Sequence, residues 1–173
     1  VDRSKWAIPH NKTVLLFTGN LLRRKGSDLL PKIMRELGPD YLLLLTCGMR
    51  GTRPLQIENC INLGSVPGDR LPEVYNLCDM LLFPSRLEGF GLSVAEAMAC
   101  ARPVVSTRCS ALPEVINDGT TGLLCATDRV DEFAKKIRWL RKHPEERLAM
   151  GTAARQRIVE HFSLQQMTNS YLA

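Results

Sequence analysis

Short, unbroken apolar runs recur from Val14 to Lys142, each stopped by a small residue or a proline and followed by a stretch with helical spacing. The runs are Val14 to Thr18, Tyr41 to Thr46, Cys60 to Leu63, Asp79 to Phe83, Pro103 to Ser106, and a shorter one at Leu123-Leu124. An apolar run without polar alternation suits a strand covered on both faces, and strands that alternate with helices build a parallel sheet. The expected fold class is α/β: a Rossmann-like parallel sheet with helices on both faces. A chain of 173 residues is long enough to bury the core of one such domain.

The first helix should start at Ser27 or Asp28, either of which can cap it, and should carry Leu29, Leu30, Ile33, Met34 and Leu37 as far as Gly38-Pro39. Further helices are expected at about Leu71 to Leu77, Leu92 to Cys100, Asp128 to Lys142 and Glu145 to Phe162, with His143-Pro144 between the last two. Val1 to Lys12 has no starting methionine and reads as an incoming linker, which suggests an excised fragment.

A net charge of +5 suits phosphate-bearing ligands, an anionic membrane surface or nucleic acid. Aromatics make up 6% of residues and do not interleave with the basic cluster, so a base-stacking platform is missing and nucleic acid ranks low. No apolar run approaches the roughly 20 residues of a membrane span. The six cysteines, Cys47, Cys60, Cys78, Cys100, Cys109 and Cys125, never come close enough in sequence for a C-x-x-C motif. Reduced core thiols in a cytoplasmic protein are the expected reading, with peripheral membrane contact left open by the charge.

The stretch from Pro84 to Met98 joins a strand to a helix through Gly89-Phe90-Gly91. The glycines allow a tight turn and close approach of a ligand, and the amides of about Phe90 to Ser93 should point out of the helix end, where anions bind. Glu88 lies in the loop, and Glu96, eight positions on, near the first helical turn. Taken singly, Glu96 could merely complement the helix dipole and Glu88 merely be solvated. Together they could accept hydrogen bonds from hydroxyls on either side of a bound phosphate, and a sugar nucleotide has that pattern.

This combination of strand, glycine turn and two glutamates resembles the E-x(7)-E signature of retaining, family-4-type glycosyltransferases, the glycosyl transferases group 1, whose fold is GT-B. The resemblance covers nearly all of the chain. It implies that the chain is the C-terminal, donor-binding half of a GT-B fold, with 163–173 starting the crossover back to the other half. Glu88 would then contact the donor sugar and Glu96 the ribose. The turn Phe90-Gly91-Leu92-Ser93 would meet the diphosphate and sugar. The loop from Gly19 to Gly26 resembles the family's G-R-x-x-x-x-K-G segment, giving Lys25 a grip on the diphosphate, with Gly19 and Arg24 beside it and Asn20 where an arginine is usual. Val66 and Leu71 fall where the family places neighbours of the base. Leu112 to Leu124 resembles the family's P-E-V-x-x-D-G-x-x-G-L-L segment, in which Glu114 would pack or fix a loop and take no part in catalysis.

The implied activity is transfer of a hexose from a nucleotide-diphosphate sugar to an acceptor hydroxyl, with retention of configuration. The donor is a substrate, and the resemblance implies neither a cofactor nor a metal. The implied partners are the nucleotide sugar, an acceptor glycan, lipid or small molecule, and the N-terminal half of the same polypeptide, without which the chain should not turn over. A nucleotide-sugar epimerase of GT-B fold and a non-catalytic nucleotide-binding α/β module are the rival readings. A receiver-like module would need acids at the ends of its early strands, and Thr18-Gly19-Asn20 and Thr46-Cys47-Gly48 stand there.

Overall fold

The computed structural model describes residues 2–46, 56–166 and 168. The strands are β1 (Thr13–Thr18), β2 (Tyr41–Thr46), β3 (Cys60–Gly64), β4 (Met80–Phe83), β5 (Val104–Thr107) and β6 (Gly122–Cys125). They form one parallel sheet in the order β3-β2-β1-β4-β5-β6. The helices are α1 (Leu30–Leu37), α2 (Leu71–Leu77), α3 (Leu92–Ala99), α4 (Leu112–Val115), α5 (Val130–Lys142) and α6 (Pro144–His161).

Both faces of the sheet are covered, which is why its central strands carry no polar alternation. In β1, Val14 and Leu16 face a core completed by Val74 and Tyr75 of α2, Val94 and Met98 of α3, and Ala154 and Ile158 of α6. Leu15 and Phe17 face a second core with Ile33 and Met34 of α1 and Phe133 and Ile137 of α5. The chain runs outward through β1, β2 and β3, then returns to lay β4 against the other side of β1. That reversal opens a crevice beyond the carboxyl ends of β1 and β4, the place where open α/β sheets take their ligands.

Helix starts differ from the sequence expectation. α1 begins at Leu30 with a proline in its first turn, and neither Ser27 nor Asp28 caps it. Asp28 instead receives a bidentate bond from Arg86, at 2.7 and 2.9 Å. Asp128 is likewise outside α5, in a left-handed conformation (φ 63°), and bonds the same arginine. At Asp28 a long-range ionic bond won over local capping.

Residues 3–6 form a 3-10 turn capped by the Asp2 side chain, and Ile8 is buried. Arg3 reaches the Leu77 carbonyl and the Asp79 carboxylate, and that carboxylate also accepts from the Val14 amide. The stretch expected as a linker is thus tied to the sheet in this structure. The strand end at Cys47-Gly48 and most of 167–173 lie outside the described residues. Among the described residues, no helix is long and apolar enough to cross a membrane.

The described cysteines, Cys60, Cys78, Cys100, Cys109 and Cys125, are unpaired, with Cys78 and Cys125 buried and the others half-buried. Burial pushes the Cys78 and Cys125 thiols up to about 12 and Cys60 to about 11. A thiol at about 12 holds roughly a thousandfold less thiolate at neutral pH than an ordinary cysteine, and thiolate is the reactive form. Native labelling with a thiol reagent should therefore leave Cys78 and Cys125 untouched over the time in which denatured chain reacts fully. Peptide mapping that found either labelled early in the native state would contradict this burial.

Candidate functional site

The crevice is built from the loops that follow β1 and β4. After β1 the chain passes Gly19 and Asn20, makes a 3-10 turn over Arg23–Lys25, and leaves through Gly26 at φ 72°. A Cβ on Gly26 would stand 1.9 Å from the Pro84 carbonyl oxygen. The two loops are thus in backbone contact, and only glycine fits there. The Arg24 carbonyl accepts from the Arg86 amide at 2.8 Å, while the Arg24 side chain stands exposed.

This contact brings two of the expected donor residues together. Lys25 Nζ lies 2.5 Å from Glu88 Oε1, with side chains 18% and 6% exposed. Ser85 Oγ donates to the same carboxylate oxygen at 2.8 Å, and the Glu88 amide donates to Ser110 Oγ at 3.3 Å. Neither side-chain bond uses Oε2. Lys25 also sits 5.6 Å from the centre of the Phe83 ring, a cation over an aromatic face. Glu88 is therefore a buried, oriented carboxylate and not a solvated loop residue.

Arg86 locks the two loops from outside. Besides Asp28 it bonds Asp128 at 2.7 Å and the Arg23 carbonyl at 2.5 Å. The Arg86 guanidinium beside Asp28 holds that carboxyl below its usual range, and Asp28 with Asp128 pushes Arg86 above its own.

The third wall is the start of α3. Gly91, at φ 87°, caps the helix; a Cβ there would come 2.8 Å from Leu112 Cδ2. The amides of Val94 and Ala95 bond back to the Gly91 carbonyl, which leaves those of Leu92 and Ser93 facing out of the helix end. Around this end the side chains of Leu87, Phe90 and Leu92 are exposed, and the Phe90 ring lies 5.5 Å from that of Phe162.

Glu96 stands exposed on α3, where its Oε2 accepts from the Tyr75 hydroxyl at 2.7 Å. A groove of about 190 Å³ runs beside it, lined in part by Leu71 and Tyr75 of α2. Of the two expected base neighbours, Leu71 thus borders Glu96. Val66 is half-buried against the same core but does not line that groove. Larger concavities of about 560 and 650 Å³ lie against α1 with β3 and against α5 with β6. Neither is lined by residues of the loops after β1 and β4, so volume and chemistry part company, and chemistry locates the site.

Glu114 is exposed on α4, and its backbone carbonyl accepts from Arg157. The sequence reading missed Ser85, Arg86 and Tyr75 as site-building residues. A tyrosine at core spacing looks like packing until its hydroxyl's partner is seen.

A cation paired with a buried carboxylate at the switch point of a parallel sheet, next to an outward-facing helix end, stands where Rossmann-like domains take their ligands. The chain belongs to the glycosyl transferases group 1 family, whose model matches residues 1–157. It is 32% identical over 168 residues to D-inositol 3-phosphate glycosyltransferase of Arthrobacter sp. (strain FB24), covering 88% of this chain and 40% of that relative. Sucrose-phosphate synthase from Thermosynechococcus elongatus superposes with a TM-score of 0.86 at 24% identity, over 98% of this chain and 47% of that one. Anabaena HepE, solved in complex with UDP-glucose, gives 0.86 at 21% identity, over 98% and 51%. These structural likenesses speak for the fold, one half of a GT-B architecture, and this chain spans about two fifths of the length of the curated relative.

Proposed function

We propose that this domain binds a nucleotide-diphosphate hexose and presents it for transfer, with retention, to a hydroxyl of a glycan, lipid or small-molecule acceptor. The observation that carries the reading is the Lys25–Glu88 pair across the switch point, made of residues 63 positions apart in sequence. In this reading Lys25 and the outward amides of Leu92 and Ser93 stabilise the charge that grows on the leaving diphosphate, without a metal. Glu88, through Oε2, orients a hydroxyl of the transferred sugar, and Glu96 accepts from the ribose. Gly19 and Asn20 border the diphosphate, Arg24 adds positive potential at the rim, and Phe90 flanks the sugar. Leu71 and Val66 stand toward the base. The acceptor site belongs to an N-terminal half of the same polypeptide.

That relatives are named as glycosyltransferases, and that HepE was solved with UDP-glucose, supports a nucleotide-sugar donor over a non-catalytic module or an epimerase. Saturation-transfer NMR of the 173-residue chain with UDP-, GDP- and ADP-hexoses is the test. Binding of one nucleotide class is expected, without acceptor-dependent turnover by this chain alone. Failure of every donor to bind would overturn the reading.

A further inference from the structure

We infer that Tyr75 is a positioning residue for the donor's nucleoside, its hydroxyl holding Glu96 in place before the ligand arrives. The inference rests on the donor reading above and adds to it a residue on a different helix. Tyr75 is 1% exposed and among the largest fully buried side chains, yet its hydroxyl reaches the exposed carboxylate of Glu96. A phenol has one proton to give, and here it goes to Glu96 Oε2.

That bond ties α2 to the carboxylate on α3 proposed for the ribose. Burial first, and Glu96 second, push the Tyr75 hydroxyl far above its usual pKa, so the donor proton stays in place at any working pH. Glu96 would otherwise be a long, exposed side chain with several rotamers to lose on binding. Holding it in one of them beforehand removes that loss from the binding step. A phenylalanine would fill the same core volume, so packing alone does not call for the hydroxyl.

The test is calorimetric titration of the chain and its variants with UDP and with inorganic pyrophosphate, GDP and ADP replacing UDP if the wild type prefers them. Tyr75→Phe should weaken the nucleoside diphosphate about tenfold, the equivalent of one hydrogen bond, and leave pyrophosphate within twofold. In a Glu96→Ala background, where the hydroxyl has no carboxylate to hold, the same change should cost less than about twofold. A tenfold loss that persists in that background, an equal loss for pyrophosphate, or no loss at all would overturn the inference. So would a collapse of the melting temperature in Tyr75→Phe, which would make the hydroxyl a requirement of the core. A wild-type chain that binds no nucleotide would remove the donor reading itself, and that failure is visible before any variant is made.

Discussion

Gly26→Ala is expected to lower the stability of the domain by at least about 3 kcal/mol and to abolish nucleotide binding. Two costs add at this position. The backbone is left-handed, which costs a residue with a Cβ roughly 1–2 kcal/mol. The new methyl would also stand 1.9 Å from the Pro84 carbonyl oxygen, a backbone atom that cannot turn aside as a flexible side chain could. Relief requires the loops after β1 and β4 to part, and that separation carries Lys25 away from Glu88. For a chain of this size the loss corresponds to a fall in melting temperature of about 6–12 °C. Gly89→Ala is the contrast: a Cβ there meets nothing within 4 Å and the backbone is not left-handed, so stability should stay within about 0.5 kcal/mol. Thermal melts of both variants decide the matter. A Gly26→Ala domain that melted with the wild type would show that the loop contact is not what holds the site.

The sequence made the sheet readable because strands such as Leu42 to Leu45 are buried on both faces and advertise it as unbroken apolar runs. It could not show which residues would meet at the switch point. Lys25 and Glu88 lie on different loops, and pairing over such a separation leaves no periodic trace in the chain. Their separate assignment to donor binding came from the family pattern, and their contact with each other came only from the coordinates. The misplaced start of α1 has the same origin. Asp28 looks like a cap by local rules, but Arg86, far along the chain, offers it two bonds from a full positive charge where a cap would offer a backbone amide. Tyr75 was hidden differently. Its ring obeys the core pattern of α2, and only the direction of its hydroxyl distinguishes it from the packing residues around it.

Glu88→Gln should leave a bare nucleoside diphosphate bound at least as tightly as in the wild type while weakening its sugar conjugate about 10–150-fold. The first half follows from charge. Glu88 is a negative group 2.5 Å from the Lys25 ammonium, so it neutralises Lys25 and opposes a diphosphate. Glutamine keeps an oxygen for Lys25 and Ser85 but loses the charge, leaving more positive potential for the ligand. The second half follows from the hydroxyl contact proposed for Oε2, where a charge-assisted bond is worth about 1.5–3 kcal/mol. Lys25→Ala acts oppositely on the bare ligand. It should weaken diphosphate and conjugate alike and also lower stability by about 3–5 kcal/mol, because it strands a carboxylate whose side chain is only 6% exposed. Combining Lys25→Ala with Glu88→Gln should recover much of that stability, since a neutral amide needs no cation, and recover none of the affinity. Calorimetric titrations and thermal melts of the three variants separate the two roles of the pair. If Glu88→Gln weakened the bare diphosphate as much as the conjugate, Glu88 would be acting only as the holder of Lys25, and its assignment to the sugar would be lost.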